Sequence, residues 1–190
     1  MKAISLYAIL NVIFLMTLCP HSSEYLKKNI EIEDVVMTAF LDWVESDTIP
    51  LFNEPGGAIQ KNLLCLNNNK DDITMIEILS VSDSMYRISA YSGDNDSIIG
   101  NGWIYKSAPI RVVARLYTPK ENLLLYNNPN DRDSILSLTI SQLPVSGLLD
   151  VVDVNTGNGW IKIRINRVSN VVEGWIPPNS YCGNPYTTCG

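Results

Sequence analysis

The chain carries a single histidine, His21. A Ser–His or Cys–His nucleophile pair needs an imidazole that can reach its nucleophile. His21 sits beside an apolar N-terminal run, far in sequence from every later Ser and Cys but those next to it. Hydrolysis through a histidine-ligated zinc is disfavoured on the same ground. Carboxylates are more plentiful: Asp71, Asp72, Asp94, Asp96, Asp131, Asp133, Asp150 and Asp153. Two acidic groups at suitable separation can hydrolyse glycosides. Most of these, however, stand among Asn, Gly and Pro, where an Asp side chain serves the turn backbone. Gly93-Asp94-Asn95-Asp96 and Asn130-Asp131-Arg132-Asp133 lack the full ligand run of a calcium loop closed by Glu. The expectation is therefore no catalytic residue, no metal ligand and no cofactor.

Aromatic side chains are the better candidates for recognition. Tyr86, Trp103, Tyr105, Tyr117, Tyr126, Trp160 and Trp175 all fall in predicted strands. The binding candidates are Tyr86, Trp103, Tyr126, Trp160 and Trp175. For Trp103 and Trp175 the competing reading is a core role, because tryptophan is usually largely buried. That reading is the favoured one for these two. Tyr86 and Trp160 stand evenly between core and surface.

The cysteines point to an oxidising compartment. Cys182 and Cys189 flank Gly183-Asn184-Pro185, a turn-forming stretch that lets the chain fold back on itself. A disulfide between them is expected outside the cytosol. For so short a loop it contributes about 2–3 kcal/mol. Cys65, within Leu63-Leu64-Cys65-Leu66, reads as a buried thiol packing as a small hydrophobe. Tyr181 and Tyr186 are expected to pack around the disulfide.

The N-terminus supplies the matching address. Lys2 is followed by an almost wholly apolar run, Ala3 to Leu18, broken by Asn11. A spanning helix wants about 20 residues, and this shorter run suits the core of a signal peptide. Cys19 follows directly. It is either a lipid attachment point or a residue lost with the signal, and Leu18 before it departs from the small residue that lipoprotein signals carry there. The expected protein is exported, periplasmic or at the cell surface, and meets the membrane only through such an anchor. Its formal net charge is -6, with no Lys/Arg-rich run. Phosphate neutralisation dominates nucleic-acid affinity, so DNA and RNA are not expected partners. Anionic lipid is disfavoured in the same way.

Residues 24–37 fit neither a helical nor a strand period cleanly, and a short helix and an extended lead-in both remain open. From about Thr38 the texture is β: short apolar or alternating runs separated by Asn, Asp, Gly, Pro and Ser. The predicted strands are Ala39–Val44, Thr48–Phe52, Leu63–Leu66, Thr74–Leu79, Met85–Tyr91, Ile98–Tyr105, Val112–Tyr117, Asn122–Tyr126, Ile135–Leu138, Leu148–Val154, Trp160–Ile165 and Val171–Ile176. In Trp160-Ile161-Lys162-Ile163-Arg164-Ile165 the isoleucines should face the core, leaving Trp160, Lys162 and Arg164 on a partly wet face.

The two halves repeat one plan. Ile49-Pro50-Leu51-Phe52-Asn53-Glu54-Pro55 matches Leu123-Leu124-Leu125-Tyr126-Asn127-Asn128-Pro129, and Asn101-Gly102-Trp103-Ile104 matches Glu173-Gly174-Trp175-Ile176. Tyr86 is matched with Trp160, each opening an alternating strand. The unit is about 73 residues, the size of one small barrel.

A strand, a turn with Pro, a later strand opened by an aromatic, and a closing Gly-Trp-hydrophobic together resemble the bacterial SH3-like domain. Leu51-Phe52-Asn53-Glu54-Pro55-Gly56, Tyr86 and Gly102-Trp103-Ile104 carry the resemblance in the first copy. Leu125-Tyr126-Asn127-Asn128-Pro129, Trp160 and Gly174-Trp175-Ile176 carry it in the second. Asn53-Glu54 and Asn127-Asn128 stand where many members have Arg-Ser or Arg-Glu. The resemblance implies an all-β fold of two tandem small SH3-like β-barrels preceded by a signal peptide. The parts would be a signal peptide at 1–19, a lead-in at 20–37, barrels at 38–108 and 109–180, and a tail at 181–190. It also implies aromatic-lined grooves for extended peptides. The reading is a non-catalytic exported binding or scaffolding module of the bacterial envelope, with peptide or peptidoglycan as ligand. The alternative is an inhibitor or immunity-type protein whose acidic surface steers it onto a basic partner protein. A carbohydrate-active enzyme built on the scattered carboxylates is the third class.

Overall fold

A computed structural model describes residues 34–42, 48–64, 73–116, 118, 120–144, 147–167 and 170–185. The expected signal peptide, Cys19, His21, Cys65, Asp71, Asp72, Tyr117, Tyr186 and Cys189 lie outside the described residues, as does most of the lead-in.

The strands run in two sets of six. The first holds β1 (Met37–Leu41), β2 (Thr48–Phe52), β3 (Ile59–Leu64), β4 (Thr74–Val81), β5 (Met85–Ser92) and β6 (Ile98–Tyr105). The second holds β7 (Ile110–Ala114), β8 (Asn122–Leu125), β9 (Leu136–Thr139), β10 (Leu148–Val154), β11 (Ile161–Asn166) and β12 (Val171–Ile176), followed by a two-residue β13 (Tyr181–Cys182). All pairings are antiparallel. In the first set the neighbours run β1-β4-β5-β6-β2-β3. In the second they run β7-β10-β11-β12, with the β8–β9 hairpin bridged to β12 through Tyr126 and Trp175. Adding six to each label of the first set reproduces the second, so the two sets follow one strand order.

Apart from β8 and β9, which form their own two-stranded sheet, the strands share one 11-stranded sheet, because β1 pairs with β7 through Phe40↔Arg111 and Leu41↔Ile110. The segment Ser107-Ala108-Pro109, which spans the expected boundary at 108/109, is a tight connection. Ala108 N–H donates to Tyr105 O at 2.9 Å, and Ile110 N–H donates to Ala108 O at 2.8 Å. One hydrophobic cluster runs through both sets, from Ala39, Ile76, Ile88 and Ile104 to Ile110, Val151, Ile163 and Ile176. The alternation in β11 decides its faces: Ile161, Ile163 and Ile165 are buried, while Lys162 and Arg164 lie on the other side.

Several expected boundaries move. β1 starts at Met37 rather than Ala39, and β7 runs 110–114 rather than from Val112. β3 begins at Ile59 rather than Leu63, because Ile59, Gln60, Lys61 and Asn62 are all exposed on an edge strand and carry no apolar alternation. Trp160 falls just before β11, and Tyr126 just after β8. Tyr181 and Cys182, assigned to a tail, are carried into the sheet by pairing with Ala114 and Val113 of β7.

The match of Tyr86 with Trp160 slips by one residue. Tyr86 pairs with Ile104, and the residue that pairs with Ile176 is Ile161. Tyr86 therefore corresponds to Ile161, and both point into the core. A one-residue slip in a strand exchanges its faces.

Candidate surface rows and the clefts between the copies

Gly-Trp-Ile works with the glycine and isoleucine inward and the tryptophan outward. In β6, Gly102 and Ile104 are buried while Trp103 is half-buried; in β12, Gly174, Ile176 and Trp175 repeat the pattern. The expectation that Trp103 and Trp175 close the cores is corrected: Ile104 and Ile176 do so. Each glycine is where the chain of β2 or β8 crosses closely. A Cβ on Gly102 would stand 2.5 Å from Phe52 O, and one on Gly174 would stand 2.8 Å from Leu125 Cβ. The missing side chain admits that approach.

Turning the tryptophans outward assembles a row of side chains in each copy. In the first, Ile59 pairs with Phe52, Phe52 with Trp103, and Trp103 with Arg87. In the second, Tyr126 pairs with Trp175 and Trp175 with Lys162. Ile135 donates its backbone N–H to Leu125 O at 2.8 Å and stands one position beyond the Leu125↔Leu136 pair, opposite Tyr126. Each row thus reads isoleucine, Phe or Tyr, Trp, cation. Each is braced edge-to-face by another aromatic: Phe52 against Tyr105, and Tyr126 against Trp160, both with ring centroids 5.2 Å apart. Sequence reasoning named Trp103, Tyr126, Trp160 and Trp175, and these lie on the outer surface. It missed Ile59, Ile135, Arg87 and Phe52. The cations that follow Tyr86 and Ile161 were the usable signal.

Tyr86 leaves the list of surface candidates. It is fully buried, and its hydroxyl donates to Val152 O of the second copy at 3.3 Å. Lys106 Nζ lies 5.4 Å from the centre of its ring and 2.9 Å from Asp153 Oδ1.

Across the second copy the outer face also carries a row of charges. Arg111, Asp150, Arg164 and Glu173 lie in successive cross-strand register over β7, β10, β11 and β12. Their signs alternate, which is the favourable arrangement for directly opposed side chains. Arg111 Nε meets Asp150 Oδ1 at 2.8 Å and its Nη1 meets Asp42; Arg164 meets Glu173 Oε1 at 2.8 Å; Lys162 meets Glu173 Oε2 at 3.2 Å. A cleft of about 520 Å³ lies over Lys106, Pro109, Arg111, Asp150 and Arg164, and one of about 510 Å³ over Ser82, Asp83, Lys106, Asp153 and Asn155. Neither lining includes an aromatic side chain among the described residues. Asp150 and Asp153 are thus engaged in ion pairs, and Asp131 accepts the Asn128 N–H of its own turn at 2.9 Å. Among the described residues no group of three His, Cys, Asp or Glu side chains is arranged to hold a metal ion.

Two buried phenols set the alkaline limit of the fold. Burial pushes Tyr181 up to about 12, and its hydroxyl donates to Gly159 O at 2.7 Å. Burial, followed by the Asp153 charge, pushes Tyr86 up further. The folded state then holds these protons more tightly than the unfolded chain, whose phenols titrate near 10. Stability is fully present below about pH 10 and falls as pH rises toward 12. Glu173 acts at the other end: hydrogen bonds from Arg164 and then Lys162 hold it below the usual carboxylate range. Its small contribution is present above that range and lost as pH falls through its lowered value. The melting temperature should therefore drop above pH 10, and the last part of the phenolate absorbance to appear should rise in step with unfolding. A melting temperature unchanged up to pH 12 would rule this out.

No family model and no curated protein matches the chain. Among solved structures, NlpC2 from Trichomonas vaginalis is similar at 12% identity with a TM-score of 0.28, over 76% of this chain and 47% of that one. The chain spans about half the length of that structure.

Proposed function

We propose that the protein is a non-catalytic, exported binding or scaffolding module of the bacterial cell envelope, built as two tandem SH3-like barrels that share a sheet. Peptide or peptidoglycan is the ligand class. The observation that carries the reading is the repeated outer-face row of isoleucine, aromatic, tryptophan and cation, displayed twice on the same strand order. Ile59 and Ile135 are exposed, Trp103, Tyr126 and Trp175 are half-buried and Phe52 is buried beneath its neighbours, and apolar residues left partly open in a group are a candidate binding surface. Support for the barrels comes from the strand order β1-β4-β5-β6-β2-β3 and its repeat. Support for export comes from Lys2 and the apolar run that follows it. A Cys182–Cys189 disulfide belongs to the same proposal. It would tie the C-terminus to β13.

Pull-down with purified peptidoglycan tests the reading. Retention at low salt is expected, together with loss of retention in Trp103→Ala/Trp175→Ala. Absence of retention by the unaltered protein, or unchanged retention by that variant, would count against it.

A further inference from the structure

We propose that β3 of the first copy is an open sheet edge onto which β3 of a second molecule of this chain adds, antiparallel and about a two-fold axis at Asn62. β3 ends the strand order β6-β2-β3, so one of its long sides is paired with β2 and the other is bare. The phase of the pairing decides which main-chain groups lie on the bare side. Facing residues of an antiparallel pair alternate between hydrogen-bonded and non-hydrogen-bonded positions. Asn62 stands opposite Pro50, which has no N–H to give. Leu64, two residues on and in the same phase, accepts Thr74 Oγ1 of β4 at 2.6 Å, and β4 does not pair with β2. The N–H and C=O of Asn62 therefore point outward, and among the described residues neither has a hydrogen-bond partner.

The other copy shows a guarded edge at the same position. β9 holds the place in the second set that β3 holds in the first. It is four residues long, and the short turn of helix Ile140–Gln142 stops it at once. The last N–H of β9, on Thr139, is taken by Gln142 Oε1 at 2.9 Å. β3 runs for six residues and has no such cap. A lysine standing beside an edge strand is another common guard. Lys61 is turned elsewhere: its Nζ reaches back to Ile99 O of β6 at 2.9 Å. Apolar side chains remain around the edge. Ile59 is 58% exposed, Leu64 46%, and Ile98, next to the residue that Lys61 holds, 71%.

A second β3 fits this edge. Centred on Asn62, the two asparagines exchange one N–H···O bond in each direction. Ile59 and Leu64 stand opposite Phe52 and Thr48, so they share one face of the strand. The same centring sets Leu64 opposite Gln60 of the second molecule and beside its Ile59, which gives each leucine an aliphatic neighbour. Lys61 falls opposite Leu63, so like charges are not directly paired. Each molecule has one β3, and the contact therefore closes at a dimer. A contact this small gives a weak dimer. It lies on the edge of the sheet and does not depend on what the outer rows bind.

Sedimentation velocity over about 5 to 500 µM tests this, in about 0.15 M salt to screen the net charge of -6 on each molecule. A monomer–dimer equilibrium is expected. Hydrogen exchange at the Asn62 amide should slow several-fold over the same range. Asn62→Pro removes only an outward donor, which an edge strand tolerates. It should weaken association by about tenfold or more with the melting temperature unchanged. Leu64→Lys leaves the main chain intact and should weaken association in the same way; it carries the test if Asn62→Pro lowers the melting temperature. Ser137→Lys, at an exposed position of β9, should associate as the unaltered protein does. A monomer at every concentration, species larger than a dimer, association undiminished in Leu64→Lys or in a stably folded Asn62→Pro, or loss of the dimer in Ser137→Lys would each overturn the proposal.

Discussion

Gly102→Ala should destabilise the fold by about 3 kcal/mol, and Gly174→Ala by about 2 kcal/mol, in urea denaturation. An alanine Cβ at Gly102 would lie 2.5 Å from Phe52 O and 2.9 Å from Leu51 Cγ. The oxygen belongs to the backbone of β2 at the point where Phe52 pairs with Trp103, so it yields only if that pairing opens. At Gly174 the nearest atoms are Cβ, Cδ2 and Cγ of Leu125, the nearest at 2.8 Å. Leu125 Cβ moves only with its own backbone, but the approach there is less close than the 2.5 Å at Gly102, and this sets the order of the two effects. Both variants should also expose their tryptophan, since the crossing of β2 or β8 is what holds the outer row together. A change below about 0.5 kcal/mol at Gly102, the range of ordinary surface substitutions, would show that the crossing is looser than described.

The same two glycines show how far the sequence could be read. Gly-Trp-Ile was recognisable as a repeated closing motif, and β2, β6, β10 and β12 have the residue ranges expected of them. The faces of that motif were not readable from it. Gly, Trp and Ile are all compatible with a core, and only the partner strand shows that the glycine faces inward. β11 was legible because isoleucine and cation alternate without interruption. β3 was not, because an exposed edge strand has no buried face to impose a pattern. The slip at Tyr86 came from matching aromatic with aromatic. The alternation Tyr86-Arg87-Ile88 against Ile161-Lys162-Ile163 would have set the register, since the cations occupy the outer face in both. The sheet passes from one copy into the other through two residue pairs between β1 and β7, a long-range contact with no local signature.

That union leads to the second large effect. Tyr86→Ala should destabilise the protein by about 3–5 kcal/mol, the range for emptying a buried aromatic site. Tyr86→Phe should cost only about 1 kcal/mol, the worth of one hydrogen bond. Tyr86 belongs to the first copy, is fully buried, and has its hydroxyl 3.3 Å from Val152 O in the second. Lys106, also of the first copy, sits over the ring and pairs with Asp153 of β10 at 2.9 Å. Removing the ring therefore opens a cavity in the common core and slackens the tie between copies in one step. Since Ile88 and Ile163 belong to a single cluster, the copies should fail together. Urea unfolding of Tyr86→Ala should stay a single transition, coincident by circular dichroism and by tryptophan fluorescence. Two separated transitions, one reporting Trp103 and the other Trp175, would mean that each copy is stable alone and that the shared sheet couples them only weakly.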